Sequence, residues 1–251
     1  MANLRSLVYT LAPPDSTNFP TEFLVYNTNV NSQNNGGQCC LWTVPAGTTW
    51  VSFEIWGGGG GGAGSCCCQQ GWPGGSGSYS RKTVCALNMG GCQYTVCAAG
   101  TTPMSPVCLG CAGNTTYVNG YGLSNFCANG GAYGEVHCQQ FQGCYTCSVP
   151  YPNCCCAYGG DFNVHGTRST YTSSTWCTQY GQQQAAVAPN TVSGPQLGPG
   201  GCINGSANGS CTGWFPCSVF PGGGGISAQT HGGNCWCGTW GAGGLVSITY
   251  G

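Results

Sequence analysis

The residues with the most chemistry in them are cysteines. The chain has 251 residues and 23 of them are Cys. They cluster as Cys39-Cys40, Cys66-Cys67-Cys68, Cys154-Cys155-Cys156 and Cys235-Trp236-Cys237, with two C-x-x-C pairs, Cys108/Cys111 and Cys144/Cys147. Thiols in this number can cross-link as disulfides, ligate a metal as thiolates, or pack as small hydrophobes. The two C-x-x-C pairs offer four thiolates. They lie 33 residues apart, whereas paired zinc motifs are usually separated by about 15–20. Vicinal triplets also suit a simple zinc site poorly. Disulfide staples are therefore the expectation, each contributing about 2–4 kcal/mol. Adjacent cysteines rarely bond one another, so each triplet is expected to tie separate segments together. The total is odd, so at least one cysteine stays unpaired within the chain or bonds to another chain.

Acid–base chemistry has little to work with. The carboxylates Asp15, Glu22, Glu54, Glu135 and Asp161 are scattered singly. Glu54 sits opposite the apolar face of a strand pattern, where a solvated or cross-strand role is the simpler reading. Glu135-Val136-His137-Cys138 groups three potential ligands, and His165 follows Asp161, but lone histidines, His231 included, are usually structural. No nucleophile–base–orienter set converges, so neither catalysis, a cofactor nor a metal is expected. G-x-G-x-x-G matches mean little in a chain with 47 glycines, and none opens a helix. The N-x-S/T sequons at Asn114, Asn204 and Asn208 carry equally little weight.

Charged residues make up 4% of the chain and its net charge is −1, against about 25% charged in a typical domain. Nothing here tracks phosphates, so nucleic acid is not an expected partner. The start, MANLRSLVYTLAPPD, is too short in its apolar stretch to read as a signal peptide. No stretch approaches the roughly 20 apolar residues of a membrane span. The surface must be hydroxyl-rich and amide-rich, a composition suited to an external structure. A virus particle reconciles the two, since its proteins are made in a cytoplasm and work outside after lysis.

Four segments alternate with the period of a half-buried strand: 49–56, 78–87, 93–98 and 245–250. A weaker N-terminal pair covers 7–11 and 23–26. The four should pair into one sheet system, a glycine-rich β-sandwich-like frame with the closing strand beside an early one. Residues 99–240 read as long, cysteine-stapled loops with aromatic islands displayed from that frame, and helix content should be small. Residues 1–38 form a candidate separate N-terminal attachment segment, ahead of a glycine-rich and cysteine-rich β domain over 39–251. Trp72, Trp176, Trp214, Trp236 and Trp240 lie in or beside loops. They serve either as plugs for local cores or as a sugar-stacking or protein-docking surface. Trp56 opens an unbroken glycine run over 57–62. Such a run makes neither a stable helix nor a good strand interior.

The segment Trp42-Thr43-Val44-Pro45-Ala46-Gly47, followed by TTWVSFEIWGGGGGGAG, resembles the opening of the glycine-rich domain of phage tail and tail-fibre proteins. Gly77-Ser78-Tyr79-Ser80-Arg81-Lys82-Thr83-Val84 looks like the next strand of that family. Gly90-Gly91-Cys92-Gln93-Tyr94-Thr95-Val96 resembles its "YTVTV" strand, and the ending GAGGLVSITY its closing strand. The cysteines are not part of that pattern. The resemblance implies an all-β, virion-associated protein at a fibre tip, binding a host surface glycan or outer-membrane protein, and a homo-oligomer among other virion proteins. A purely structural virion component and a metal-binding or thiol-redox protein are the alternatives. The resemblance also implies polyglycine II segments, extended three-per-turn helices whose backbone groups must bond neighbouring backbone. The expected partners of 57–62 are 222–225 or 198–201. The sequence singles out no receptor-binding residue.

Overall fold

The structure is a computed structural model and describes residues 21–26, 37–66, 70–102, 110–137, 145–148, 155–167, 170–173, 182–184, 188–190, 220–225 and 235–251. Among these there is no helix. The strands are β1 (Thr21–Tyr26), β2 (Gln38–Thr43), β3 (Trp50–Trp56), β4 (Ser65–Cys66), β5 (Gln70–Gly71), β6 (Tyr79–Cys85), β7 (Gln93–Ala98), β8 (Thr116–Gly120), β9 (Cys127–Ala128), β10 (Val136–His137), β11 (Tyr145–Ser148), β12 (Ala157–Tyr158), β13 (Phe162–Val164), β14 (Thr170–Ser173), β15 (Gln182–Gln184), β16 (Cys235–Trp236) and β17 (Leu245–Tyr250).

Two five-stranded antiparallel sheets stack as a sandwich. One runs β1-β17-β3-β6-β13, the other β12-β9-β8-β7-β2. β1 lies against β2, β17 against β7, β3 against β8 and β9, and β13 against β12. The inner face of the first sheet buries Val51, Phe53, Ile55, Val246 and Ile248. The second covers them with Trp42, Tyr94, Val96, Val118 and Phe126. Phe53 sits at the middle, 4.9 Å from the Tyr94 ring and 6.2 Å edge-on to Trp42.

This corrects one expectation. The stretch 99–240 is not all displayed loop; the strands at 49–56, 78–87, 93–98 and 245–250 divide between the two sheets of the expected sandwich, and segments of 99–240 complete them. β7 belongs to the second sheet, and β8, β9, β12 and β13 all come from the loop-like stretch. The reason is burial: one sheet alone would leave its apolar face in water. The closing strand does lie beside an early one, between β1 and β3. Residues 21–26, expected in a separate N-terminal segment, pair with β17 as an integral edge strand. The weaker candidate at 7–11 lies outside the described residues.

The glycine run leaves the end of β3 and becomes the axis of a backbone lattice. The amides of Gly57, Gly58 and Gly59 donate to the carbonyls of Ser78, Asn114 and Ala242. Those of Gly60, Gly61 and Gly62 donate to Gly75, Cys111 and Thr239, so the same three neighbours recur every third residue, at 2.8–3.0 Å. All three neighbours run antiparallel to the axis. Parallel neighbours supply donors: Gly131 and Gly134 to the carbonyls of Gly58 and Gly61, Gly225 to that of Gly60, and Thr102 Oγ1 to that of Gly59. The neighbours also bond one another. Trp72, Gly75 and Ser78 donate to Glu135, Ala132 and Asn129, and Gly74 and Gly77 to Gly225 and Gly222. Around the axis the order is 110–114, 129–135, 72–78, 222–225, 239–242 and 99–102, alternating in direction. This is polyglycine II packing, and the expected contact with 222–225 is present. The other candidate, 198–201, lies outside the described residues.

Such packing leaves no room for a side chain at the glycines that face the axis. A Cβ at Gly77, Gly113, Gly241, Gly74, Gly110 or Gly238 would run into the carbonyl oxygen of Gly57, Gly58, Gly59, Gly60, Gly61 or Gly62 respectively. The antiparallel neighbours therefore carry glycine at both ends of a G-x-x-G unit: 74–77, 110–113 and 238–241. At about 3.1 Å per residue the axis is roughly 18 Å long.

Candidate functional site

Among the described residues, those with catalytic potential do not converge. Glu135 sits in the lattice, where its carbonyl accepts the Trp72 amide. His137 pairs in register with Gln70 on β5, and His165 is exposed beyond β13. Among the described residues no group of three His, Cys, Asp or Glu side chains is placed to hold a metal ion. Asp15, Cys138 and His231 lie outside the described residues, and the Glu22 side chain is not described.

The cysteines divide by location. Cys39 on β2 is bonded to Cys97, directly opposite on β7, closing a sequence separation of 58. Cys237 is also disulfide-bonded. Cys40, Cys111 and Cys156 are not bonded to another cysteine, nor are Cys85, Cys92 and Cys127. For Cys40 the reason is geometric: its register partner on β7 is Val96, and it packs toward the core. Burial pushes the Cys40 and Cys127 thiols up, which disfavours the nucleophilic thiolate. Cys155 is buried. Cys66 and Cys235 stand opposite each other in the register of β4 and β16, and Cys147 lies on β11. Cys67, Cys68, Cys108, Cys144 and Cys154 lie outside the described residues.

Of the loop tryptophans, Trp72 is buried, Trp240 is half-buried and Trp236 lies on β16. Trp176 and Trp214 lie outside the described residues. Among the described residues the exposed rings are Tyr121, Tyr133, Tyr158, Phe162 and Phe220.

Four charged residues of the described structure lie together. Glu54, Arg81, Lys82 and Asp161 lie on or beside the adjacent strands β3, β6 and β13. Glu54 and Arg81 are opposite in register and so face outward together, with Phe162 beside Arg81. The Tyr79 hydroxyl donates to Glu54 Oε1 at 2.8 Å, and Arg81 Nε is 3.9 Å from the same oxygen. Burial, then the Glu54 hydrogen bond, push the Tyr79 phenol far above its ordinary value, so it stays a donor. At the rim, Lys82 bonds Asp161, whose other oxygen accepts the Thr83 amide at 3.0 Å. The Lys82 hydrogen bond, then the Thr83 amide, hold the Asp161 carboxyl below its usual range. Next to this row, Trp56 and Tyr79 are covered by Ala188, and the Trp56 indole donates to the Pro189 carbonyl at 2.9 Å.

Neither Cys97 nor the outward Phe162–Arg81–Glu54 row stands out in the sequence, because cross-strand pairing is non-local. The lattice neighbours did leave a signal: glycines three apart at 74/77, 110/113, 131/134, 222/225 and 238/241. Compared with family models and with curated protein sequences, the chain matches none.

Proposed function

We propose that the chain is a virion appendage protein, a tail-fibre tip or adhesin that binds a host cell-surface receptor, a glycan or an outer-membrane protein. The observation that carries this reading is the one-ended layout of the lattice. Its near end, at Gly57, Ser78, Asn114, Asn129 and Ala242, continues the sandwich strands. At its far end Ala63, Trp72, Cys111, Glu135 and Thr239 are bonded to their neighbours at one level. There the chain leaves and re-enters between lattice segments. An axis of bare glycine backbone bonded on all sides has few soft degrees of freedom, and so suits holding host-contacting groups rigidly at the far end. The low charge and the resemblance to phage glycine-rich domains support the same reading.

The test is immunogold labelling of purified particles with antibody to this chain, together with adsorption assays using the soluble protein as competitor. The reading expects label at distal tips and competed adsorption. Label spread over the shell, with adsorption unaffected, would establish the alternative, a structural virion component without a receptor role.

A further inference from the structure

We infer that the outer face of the first sheet, along Phe162, Arg81 and Glu54, is a binding face for a neutral oligosaccharide. The inference goes beyond the reading above, because it needs no particular position on a particle. Phe162 is 57% exposed. Phe53 and Phe126, inside the sandwich, are by contrast fully buried. An exposed ring on a regular strand, fixed in register against Arg81, offers an apolar plate of the kind that stacks on a sugar face.

The polar groups beside it are positioned and incompletely used. Glu54 is oriented by the Tyr79 hydroxyl, and among the described residues its second oxygen accepts no hydrogen bond. The Arg81 side chain is 56% exposed and makes no hydrogen bond among the described residues. The next row presents Thr83 Oγ1, which donates to Ser52 Oγ at 3.1 Å and keeps acceptor capacity. Strands lie about 4.8 Å apart, so the row across β13, β6 and β3 spans about 10 Å, the length of a short oligosaccharide.

Charge complementarity selects the ligand class. Arg81 faces Glu54 and Lys82 is bonded to Asp161, so each cation already has its anion. An anionic ligand would have to displace a carboxylate, whereas a polyhydroxyl ligand can donate to Glu54 and accept from Arg81 without breaking the pair. The neighbouring row already binds in this manner: Trp56 and Tyr79 take Ala188 against their rings while the Trp56 indole donates to a carbonyl.

The experiment titrates the isotope-labelled full chain with maltotetraose, cellotetraose, mannotetraose and chitotetraose, and with a sulfated heparin tetrasaccharide for comparison, following amide shifts by NMR. The expected result is that at least one neutral tetrasaccharide shifts residues 52, 54, 79, 81, 83 and 162. Phe162→Leu and Arg81→Gln should each weaken that binding by about tenfold or more, near 1.4 kcal/mol. Phe162→Tyr should retain it, and unchanged melting would show that each variant folds. No response to any neutral tetrasaccharide, shifts confined elsewhere, affinity indifferent to Phe162→Leu, or preference for the sulfated probe would each overturn the inference. None of these results bears on where the chain sits in a particle.

Discussion

Replacing Gly59 by alanine tests the lattice at its axis. A Cβ there would fall within 3.0 Å of the carbonyl carbon and oxygen of Gly223 and of the Gly222 oxygen. These are backbone atoms, so no rotamer change relieves the overlap. Segment 222–225 must move. It is held by the bonds Gly225 to Gly60, Gly74 to Gly225, Gly77 to Gly222, Gly222 to Gly243 and Ala242 to Gly223. Losing two or three buried bonds at about 1 kcal/mol each removes about 2–3 kcal/mol. The reduced freedom of the unfolded chain returns about 0.4–1 kcal/mol. The net loss is about 2 kcal/mol, or about 4–8 °C in Tm for a domain of this size. Differential scanning calorimetry reads it. Gly58→Ala is the graded comparison: its Cβ would meet the Ala99 Cβ and the Gly100 oxygen at 3.2 Å, so a smaller drop is expected. A Gly59→Ala protein that melts at or above the wild-type temperature would refute the close-packed lattice and make the run a linker.

Further outcomes follow from the same contacts. Cys39→Ser with Cys97→Ser should lower stability by about 2–4 kcal/mol, and the reductant-induced fall in wild-type Tm should shrink in this variant; an undiminished fall would mean that other bridges dominate. Asp161 has a depressed folded pKa, so its contribution is full above the unfolded value of about 3.9 and is lost as pH falls through the lower folded value. The group is exposed, and screening keeps the effect under about 1 kcal/mol. Melting curves of wild type and Asp161→Asn should therefore differ at neutral pH and converge in acid, and a gap that widens in acid would contradict the sign. Iodoacetamide at neutral pH should label exposed Cys85 and Cys111 faster than Cys40 and Cys127, as peptide mass spectrometry would report; the reverse order would contradict the burial of those two thiols. Tyr79→Phe should cost about 1 kcal/mol through the lost hydrogen bond to Glu54, and an unchanged denaturation midpoint would show that bond to be inconsequential.

Much of the sandwich was legible. Val51, Phe53 and Ile55 alternate with polar residues, and so do Val246, Ile248 and Tyr250, so β3 and β17 announce themselves within a residue or two. β9 and β12 are two residues long and carry no period. β8 reads TYVNG, a strand defined by what it pairs with. Which sheet a strand joins depends on contacts far apart in sequence, so nothing within β7 itself assigns it to the second sheet. The run 57–62 declares its need for backbone partners, because it has nothing else to offer. The partners were harder to see. Units such as Gly131-Ala132-Tyr133-Gly134 and Gly238-Thr239-Trp240-Gly241 hide their three-residue spacing behind varied intervening residues. In both units the terminal glycines abut a neighbouring carbonyl, while the positions between them carry Ala132, Tyr133, Thr239 and Trp240. The outward face with Phe162, Arg81 and Glu54 was not legible, since it joins three strands drawn from residues 50 to 164.

The central claim is that the glycine run is a bonded axis and not a tether. Amide hydrogen exchange over 57–63 tests it most directly. Every amide from Gly57 to Ala63 donates to a named carbonyl within 3.1 Å. These amides should exchange only with global unfolding, as slowly as those of the core strands β3 and β17. Exchange at the rate of an unstructured glycine peptide, while β3 remains protected, would contradict it.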